Sequence, residues 1–223
     1  MNPNLLRVTQ RIVERSRDTR SAYLARIEQA KSTTVHRSQL ACGNLAHGFA
    51  ACQPDDKASL KSMLRNNIAI ITSYNDMLSA HQPYEVYPEI IRKALHSVNA
   101  VGQVAGGVPA MCDGVTQGQD GMELSLLSRE VIAMSAAVGL SHTFYGTANT
   151  NQMVVEFMGM QLPGSSFIQP DAPLRKALTE AAARQVTRLT GNGNAWMPLG
   201  KMVDEKVIVN GIVALLATGG STN

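Results

Sequence analysis

Residues 105–130 read AGGVPAMCDGVTQGQDGMELSLLSRE, and the parsing of that stretch decides the fold. Paired glycines, Gly106 and Gly107, lead into a short apolar segment ending at Met111. Cys112-Asp113 then precede a polar turn in which Gly114, Gly118 and Gly121 alternate with Thr116, Gln117, Gln119 and Asp120. An amphipathic helix is expected over Met122–Gly139, with Leu124, Leu127, Val131 and Met134 on one stripe. A carboxylate at a strand end, followed by glycines and a helix N-terminus, is one way α/β proteins build metal and anion sites. The glycines let backbone N–H groups approach a ligand, and Asp113 could hold a hard cation such as Mg2+. The same pattern equally describes a β–α connection whose glycines serve only the turn, and the residues alone leave both readings open.

Working outward, Asn67–Ser73 (NIAIITS) is a nearly continuous run of β-branched residues, as expected of a strand covered on both faces. It ends in Ser73-Tyr74-Asn75-Asp76, with His81 in the same loop. Polar groups beyond a strand's C-terminal end are where open α/β sheets bind ligands, so Ser73, Asn75, Asp76 and His81 are candidate substrate contacts. His81 fits an ordinary loop histidine equally well. Tyr84–Asn99 predicts a helix with Pro88 in its first turn, and Val101–Met111 returns to an extended segment. Strand and helix thus alternate through the first 140 residues. The expected fold is α/β, a mostly parallel sheet covered by helices.

Toward the ends the pattern is more helical. Asn4–Lys31 predicts a long surface helix with Leu5, Val8, Ile12, Ala22 and Ile27 near one face, of the kind that packs across a neighbouring domain or subunit. Ser32–Asp56 reads as a polar connection. Its Cys42, His47 and Cys52 lack the fourth ligand and tight pairs of structural zinc, and a close-packed turn around Gly43 and Gly48 is the plainer reading. Further helices are expected at Asp56–Leu64, Asn151–Met160, Asp171–Leu189 and Asp204–Ala217. Gly159 and Pro163-Gly164 stop the second of these, and Gly219-Gly220 cap the last.

Bulk properties narrow the class. The 223 residues are 44% hydrophobic and 17% charged, with a net charge of +3. That balance suits a globular protein with a real core and is too mild for a nucleic-acid binder. No apolar run is long enough to span a bilayer, and the N-terminus lacks the apolar core of a signal peptide. Three cysteines without a CxxC pair suit a reducing, cytoplasmic setting.

RSRDTRSAYLARIEQAK, HRSQLACGNLAHGFAACQP, IAIITSYNDMLSAHQPYE, CDGVTQGQDGM, TFYGTANTNQM, TGNGNAWMP and ATGGSTN together resemble the dihydroxy-acid/6-phosphogluconate dehydratase family, from Met1 to Asn223. The similarity is greatest to the branch acting on phosphorylated sugar acids. It implies a hydro-lyase converting 6-phospho-D-gluconate to 2-dehydro-3-deoxy-6-phosphogluconate and water, in the Entner–Doudoroff pathway. It also implies a homodimer and a [4Fe–4S] iron–sulfur cluster working with Mg2+. By the resemblance, Asp113 is the divalent-cation carboxylate, the Ser73–His81 loop lines the substrate pocket, and Ser79 falls near a position where some relatives place a cluster cysteine. Cys42, Cys52 and Cys112 match no cluster cysteine.

The chain departs from the family pattern at one seam. His142 joins Thr143 directly, where the family carries several dozen residues including a Cys-Asp-Lys motif and a second cluster cysteine. By the resemblance, a C-terminal barrel-like domain carrying the family's base serine is expected to be missing as well. The expected organisation is an N-terminal helical arm (1–37), a first part of an incomplete α/β domain (38–142), and a later part of the same domain (143–223) joined across a deletion. Neither cluster nor Mg2+ is expected to be retained, no residue is assigned a catalytic role, and the chain is expected to be inactive. The alternative is a non-catalytic fragment that pairs with full-length subunits. Loss of the block should also bare the apolar faces of Leu124, Leu127, Val131, Val154, Val155 and Phe157.

Overall fold

The structure is a computed structural model and describes residues 2–35, 38, 42–107, 118, 120, 122–141 and 152–218. These fall into two compact units. One comprises residues 34–148 and 169–187, the other residues 1–33, 149–168 and 188–223.

In the first unit, β1 (Asn67–Ile71) and β2 (Val101–Gly106) pair in parallel, Asn67 opposite Val101 and Ile68 opposite Gly102. Parallel strands require a crossover, and here it is a 3₁₀ turn (Gln82–Val86) running into α4 (Tyr87–His96). Helices cover both faces, as the apolar run of β1 demands. On one face Ile68 packs with Ala94, Leu95 and Ala100, and with Ala183 of α7 (Pro173–Leu189). On the other, Val101 packs with Leu60 of α3 (Pro54–Lys61), with Cys52 just before that helix, and with Phe49 of α2 (Cys42–Ala50). The sheet is therefore parallel and helix-covered as expected, but small, and the fold is mostly helical.

Asn67 and Gln103 are the polar intrusions on this second face. Asn67 Nδ2 donates to Gln103 Oε1 at 2.5 Å, and Gln103 Nε2 donates to Cys52 Sγ at 3.3 Å. Cys52 in turn donates to the Gly48 carbonyl. Burying polar groups is tolerable when they bond one another, and this chain of contacts ties β1 and β2 to α2. The segment expected to be a polar connection, 32–56, thus contains helix α2. Its turn glycines and apolar Leu45 and Phe49 lie on a helix that Cys52 terminates.

α5 (Leu124–Ser141) lies beside β1. Ser128, Ile132, Ser135 and Ala136 are half-buried, whereas Leu124, Leu127 and Met134 are exposed. The large apolar stripe is therefore the bare side of this helix, and a stripe of smaller residues faces inward.

The second unit is helical: α1 (Pro3–Gln29), α6 (Gln152–Phe157), α8 (Leu199–Met202) and α9 (Glu205–Thr218). Asn2 caps α1, its side chain accepting from Asn4 N at 2.9 Å. The side of α1 that packs is marked by half-buried Leu5, Thr9, Val13, Ser16, Arg20, Leu24 and Ile27, while Val8, Ile12 and Ala22 are exposed. The half-buried stripe thus keeps the expected Leu5 and Ile27 but takes in Val13 and Leu24 rather than Val8 and Ile12, on a helix that packs against α8 and α9. Lys201 Nζ lies 2.7 Å from Glu28, and Lys31 and Lys201 stand over the Trp196 ring at 4.5 and 4.2 Å. A β-carbon at Gly200 would meet the ends of the Ile27 and Tyr23 side chains, which would have to move aside, so the glycine lets α8 lie close against α1. In the same unit Leu124's counterpart in bareness is Phe157, which is exposed, while Val154 and Val155 are half-buried. Among the described residues no helix is long and apolar enough to cross a membrane.

Candidate functional site

The C-terminal ends of β1 and β2 lie side by side, and the two loops of interest leave from them. A side chain at Gly107 would drive into the Thr72 carbonyl oxygen at 1.8 Å, so the start of the glycine-rich loop touches the start of the 72–81 loop. Gly106, with φ of +90°, turns the chain there. This convergence follows from parallel pairing, which puts both carboxyl ends on the same edge. Cys112 and Asp113 lie outside the described residues.

The 72–81 loop is internally braced. Thr72 Oγ1 accepts from Tyr74 N at 3.2 Å, and Asn75 Oδ1 accepts from Met77 N at 2.9 Å, two side-chain-to-backbone turns in succession. Leu78 is buried and anchors the loop, its carbonyl accepting from His81 N and Gln82 N at 2.9 and 2.8 Å. Of the expected contacts, the structure brings Ser73 and His81 together. His81 Nδ1 is 2.9 Å from the Ser73 carbonyl oxygen and 3.2 Å from Ser73 Oγ. A carbonyl only accepts, so Nδ1 carries the hydrogen, and in the neutral ring Nε2 keeps its lone pair as an acceptor. Asp76 is exposed and accepts from the Tyr74 hydroxyl. That bond, then desolvation and the carboxylate's charge, push the Tyr74 phenol up to about 12. Asn75 is half-buried and spends its side-chain oxygen on the turn.

Sequence reasoning passed over the tyrosines. Tyr84 packs edge-on against His81 with ring centroids 5.5 Å apart, and Tyr87 follows at 5.9 Å from Tyr84. The signal was available: 81, 84 and 87 are spaced by three, and a 3₁₀ turn places such residues above one another. Burial raises the Tyr84 phenol, helped by Tyr87 and opposed by the nearby Arg175 guanidinium. Burial likewise raises Tyr87. Both rings therefore stay neutral hydrogen-bonding groups at physiological pH.

The comparisons with known proteins are consistent with this architecture. The family model for the dihydroxy-acid/6-phosphogluconate dehydratase N-terminal region matches residues 65–145 and 141–223. The chain belongs to the dihydroxy-acid/6-phosphogluconate dehydratase family, whose members are hydro-lyases. It is 67% identical over 302 aligned residues to the phosphogluconate dehydratase of Escherichia coli K12, covering all of this chain and 50% of that protein. It is 45% identical to the phosphogluconate dehydratase of Pseudomonas aeruginosa, again over all of this chain and 50% of the relative. To that of Zymomonas mobilis it is 44% identical, over 97% of this chain and 49% of the relative. The chain thus spans about half the length of these relatives. The aligned span of 302 exceeds the chain's 223 residues by 79, and the two family matches meet at 141–145.

An iron–sulfur cluster would require several thiolates converging on one point. Cys42 is exposed at the start of α2 and Cys52 buried beyond its end. Ten residues of mostly helical rise separate them by roughly 15 Å, and Cys52 is already engaged with Gly48 and Gln103. These two thiols do not fit one cluster. Among the described residues no group of three His, Cys, Asp or Glu side chains is arranged to hold a metal ion.

Proposed function

We propose that this chain comes from a hydro-lyase acting on 6-phospho-D-gluconate and retains the substrate-facing strand ends of that enzyme without its metal centre. The whole enzyme would remove the C2 proton and the C3 hydroxyl as water. The enol left behind tautomerises to 2-dehydro-3-deoxy-6-phosphogluconate. The observation that supports this reading is the braced 72–81 loop at the carboxyl edge of a parallel sheet, in a chain 67% identical to a phosphogluconate dehydratase. Ser73, Asn75, Asp76 and His81 are the proposed contacts for the hydroxyl-rich phosphosugar acid, with Tyr84 flanking His81.

By resemblance Asp113 would supply one oxygen to Mg2+. That ion keeps its waters unless several oxygens converge, so one aspartate does not hold it at useful affinity. We therefore assign the chain no [4Fe–4S] cluster and no turnover. Iron and sulfide analysis of anaerobically purified chain, with a dehydration assay on 6-phosphogluconate, tests this. Colourless, inactive protein is expected, and a brown, active one would overturn the assignment.

A second reading, a fragment pairing with full-length subunits, is favoured by α1. None of its 27 residues is buried, and Leu6, Val8 and Ile12 are exposed. Family homodimerisation through this helix would cover them. Failure of the chain to co-elute with full-length enzyme would remove this reading.

A further inference from the structure

The bare side of α5 and the surplus of the relatives meet at the same place. Leu124, Leu127 and Met134 are 45%, 57% and 61% exposed, and with half-buried Val131 they repeat at intervals of three, four and three residues. That spacing makes one continuous stripe along the helix, the pattern of a face built to be covered. The adjoining side, Ser128, Ile132, Ser135 and Ala136, is half-buried on a helix that lies against β1, so the helix is docked and the stripe runs along its solvent edge. The helix ends at Ser141, where the relatives' aligned span runs 79 residues longer than this chain and the two family matches meet.

We infer that the Leu124–Leu127–Val131–Met134 face of α5 is a docking surface for the polypeptide segment that its relatives carry at this seam, and that the chain binds that segment when it is supplied separately. The occupant is defined by position and chemistry. It would leave the last turn of α5 and must present an apolar side to an aliphatic and thioether stripe. Arg129 and Glu130, exposed beside the stripe, supply charges of both signs at its edge. A helix lying along α5 meets this description, since the stripe offers rows of side chains at helical spacing. The inference rests on family membership and on the exposed stripe, and it holds whether or not the chain turns over substrate.

The test uses the full 223-residue chain and the intervening segment of the Escherichia coli relative, produced as a separate, fluorescently labelled polypeptide. Saturable binding by anisotropy is expected. Leu127→Glu and Met134→Glu should each weaken it at least tenfold, and Leu127→Ala less. Leu216→Glu, an exposed apolar position on α9, should leave it unchanged. All three positions carry exposed side chains, so unchanged far-ultraviolet dichroism is expected and separates lost docking from lost folding. Absence of binding at tens of micromolar, or equal binding by Leu127→Glu, overturns the inference. So does self-association of the chain that Leu127→Glu abolishes but the segment does not displace, because the stripe would then belong to a second copy.

Discussion

Gly102→Ala probes how tightly the sheet under the candidate site is packed. A β-carbon at Gly102 would lie 2.8 Å from Leu95 Cδ1, 3.3 Å from Ile70 Cδ1 and 3.5 Å from Arg92 Cγ. Favourable carbon–carbon contact is at about 3.5–4.0 Å, so Leu95 must give way. Leu95 has 0% exposure and is packed among Ile68, Ala94, Ala100 and Ala183, so it has little room to do so. Overpacking of this kind costs about 1–3 kcal/mol, and replacing a strand glycine returns roughly 0.5–1 kcal/mol. A net loss of about 1–2 kcal/mol is expected. Leu95→Ala alone removes the obstructing carbon and leaves a cavity, at a cost of about 3–5 kcal/mol. In the double variant the new methyl at 102 occupies part of that cavity, so the combined loss should fall short of the sum by about 1–2 kcal/mol. Urea unfolding followed by far-ultraviolet dichroism measures all four corners of the cycle. Additivity within about 0.3–0.5 kcal/mol would show that the two positions do not touch, and would refute the packing described for β2 and α4.

Asp76→Asn should return the Tyr74 phenol from about 12 toward the ordinary value of 10.0, read by tyrosine carbon NMR titration. The raised value favours the neutral ring in the folded chain. Its stabilising contribution is therefore complete below pH 10 and fades as pH climbs toward 12. Glu156 accepts from Gly164 N and, at 2.8 Å, from Ser166 N; the Ser166 hydroxyl first and then these amides hold its carboxyl below 4.5. That contribution is complete above 4.5 and lost as pH falls through the lower folded value. Glu156→Gln should thus flatten the acid limb of a melting-temperature profile, and an unchanged limb would contradict the loop geometry. Lys201→Met should alter the emission of Trp196, the single tryptophan, and cost about 0.5–1 kcal/mol for the lost cation–ring contact. Identical emission would place the ammonium elsewhere.

The parallel sheet was legible because Asn67–Ile71 and Val101–Gly106 carry signals that local chemistry makes unambiguous. A β-branched run has few alternatives to a doubly covered strand, and the residues between are long enough only for a helical crossover. The loop at 73–81 was legible for the same reason, since polar groups after such a strand have nowhere else to go. Other parts were decided by partners distant in sequence. The helix Cys42–Ala50 hides in a glycine- and alanine-rich stretch whose apolar residues acquire a direction only against Val101. In α1, Val8, Val13, Ile12 and Leu24 offer two plausible stripes, and Glu28, Lys201 and Glu205 select one by tying the helix to α8 and α9. The Tyr84–His81 contact depended on the turn being 3₁₀, which spacing suggests but composition does not fix.

The α5 stripe is the instructive case, because the sequence pattern and the structure disagree about its meaning unless the seam is considered. Periodicity marks Leu124, Leu127, Val131 and Met134 as a buried face, and an intact domain would bury it. In this chain the smaller Ser128, Ile132, Ser135 and Ala136 side packs inward instead, and three of the four large residues stay in solvent. A helix with two packing sides belongs in the interior of a larger assembly of elements, whereas a helix at the surface needs only one. The second side of α5 is the one that the described residues leave uncovered, and the proposed docking segment is what would cover it. Dye binding by the isolated chain is the expected consequence. A rigid, monomeric chain that binds no dye would mean that the stripe is covered from within, and the reading of the seam would fall with it.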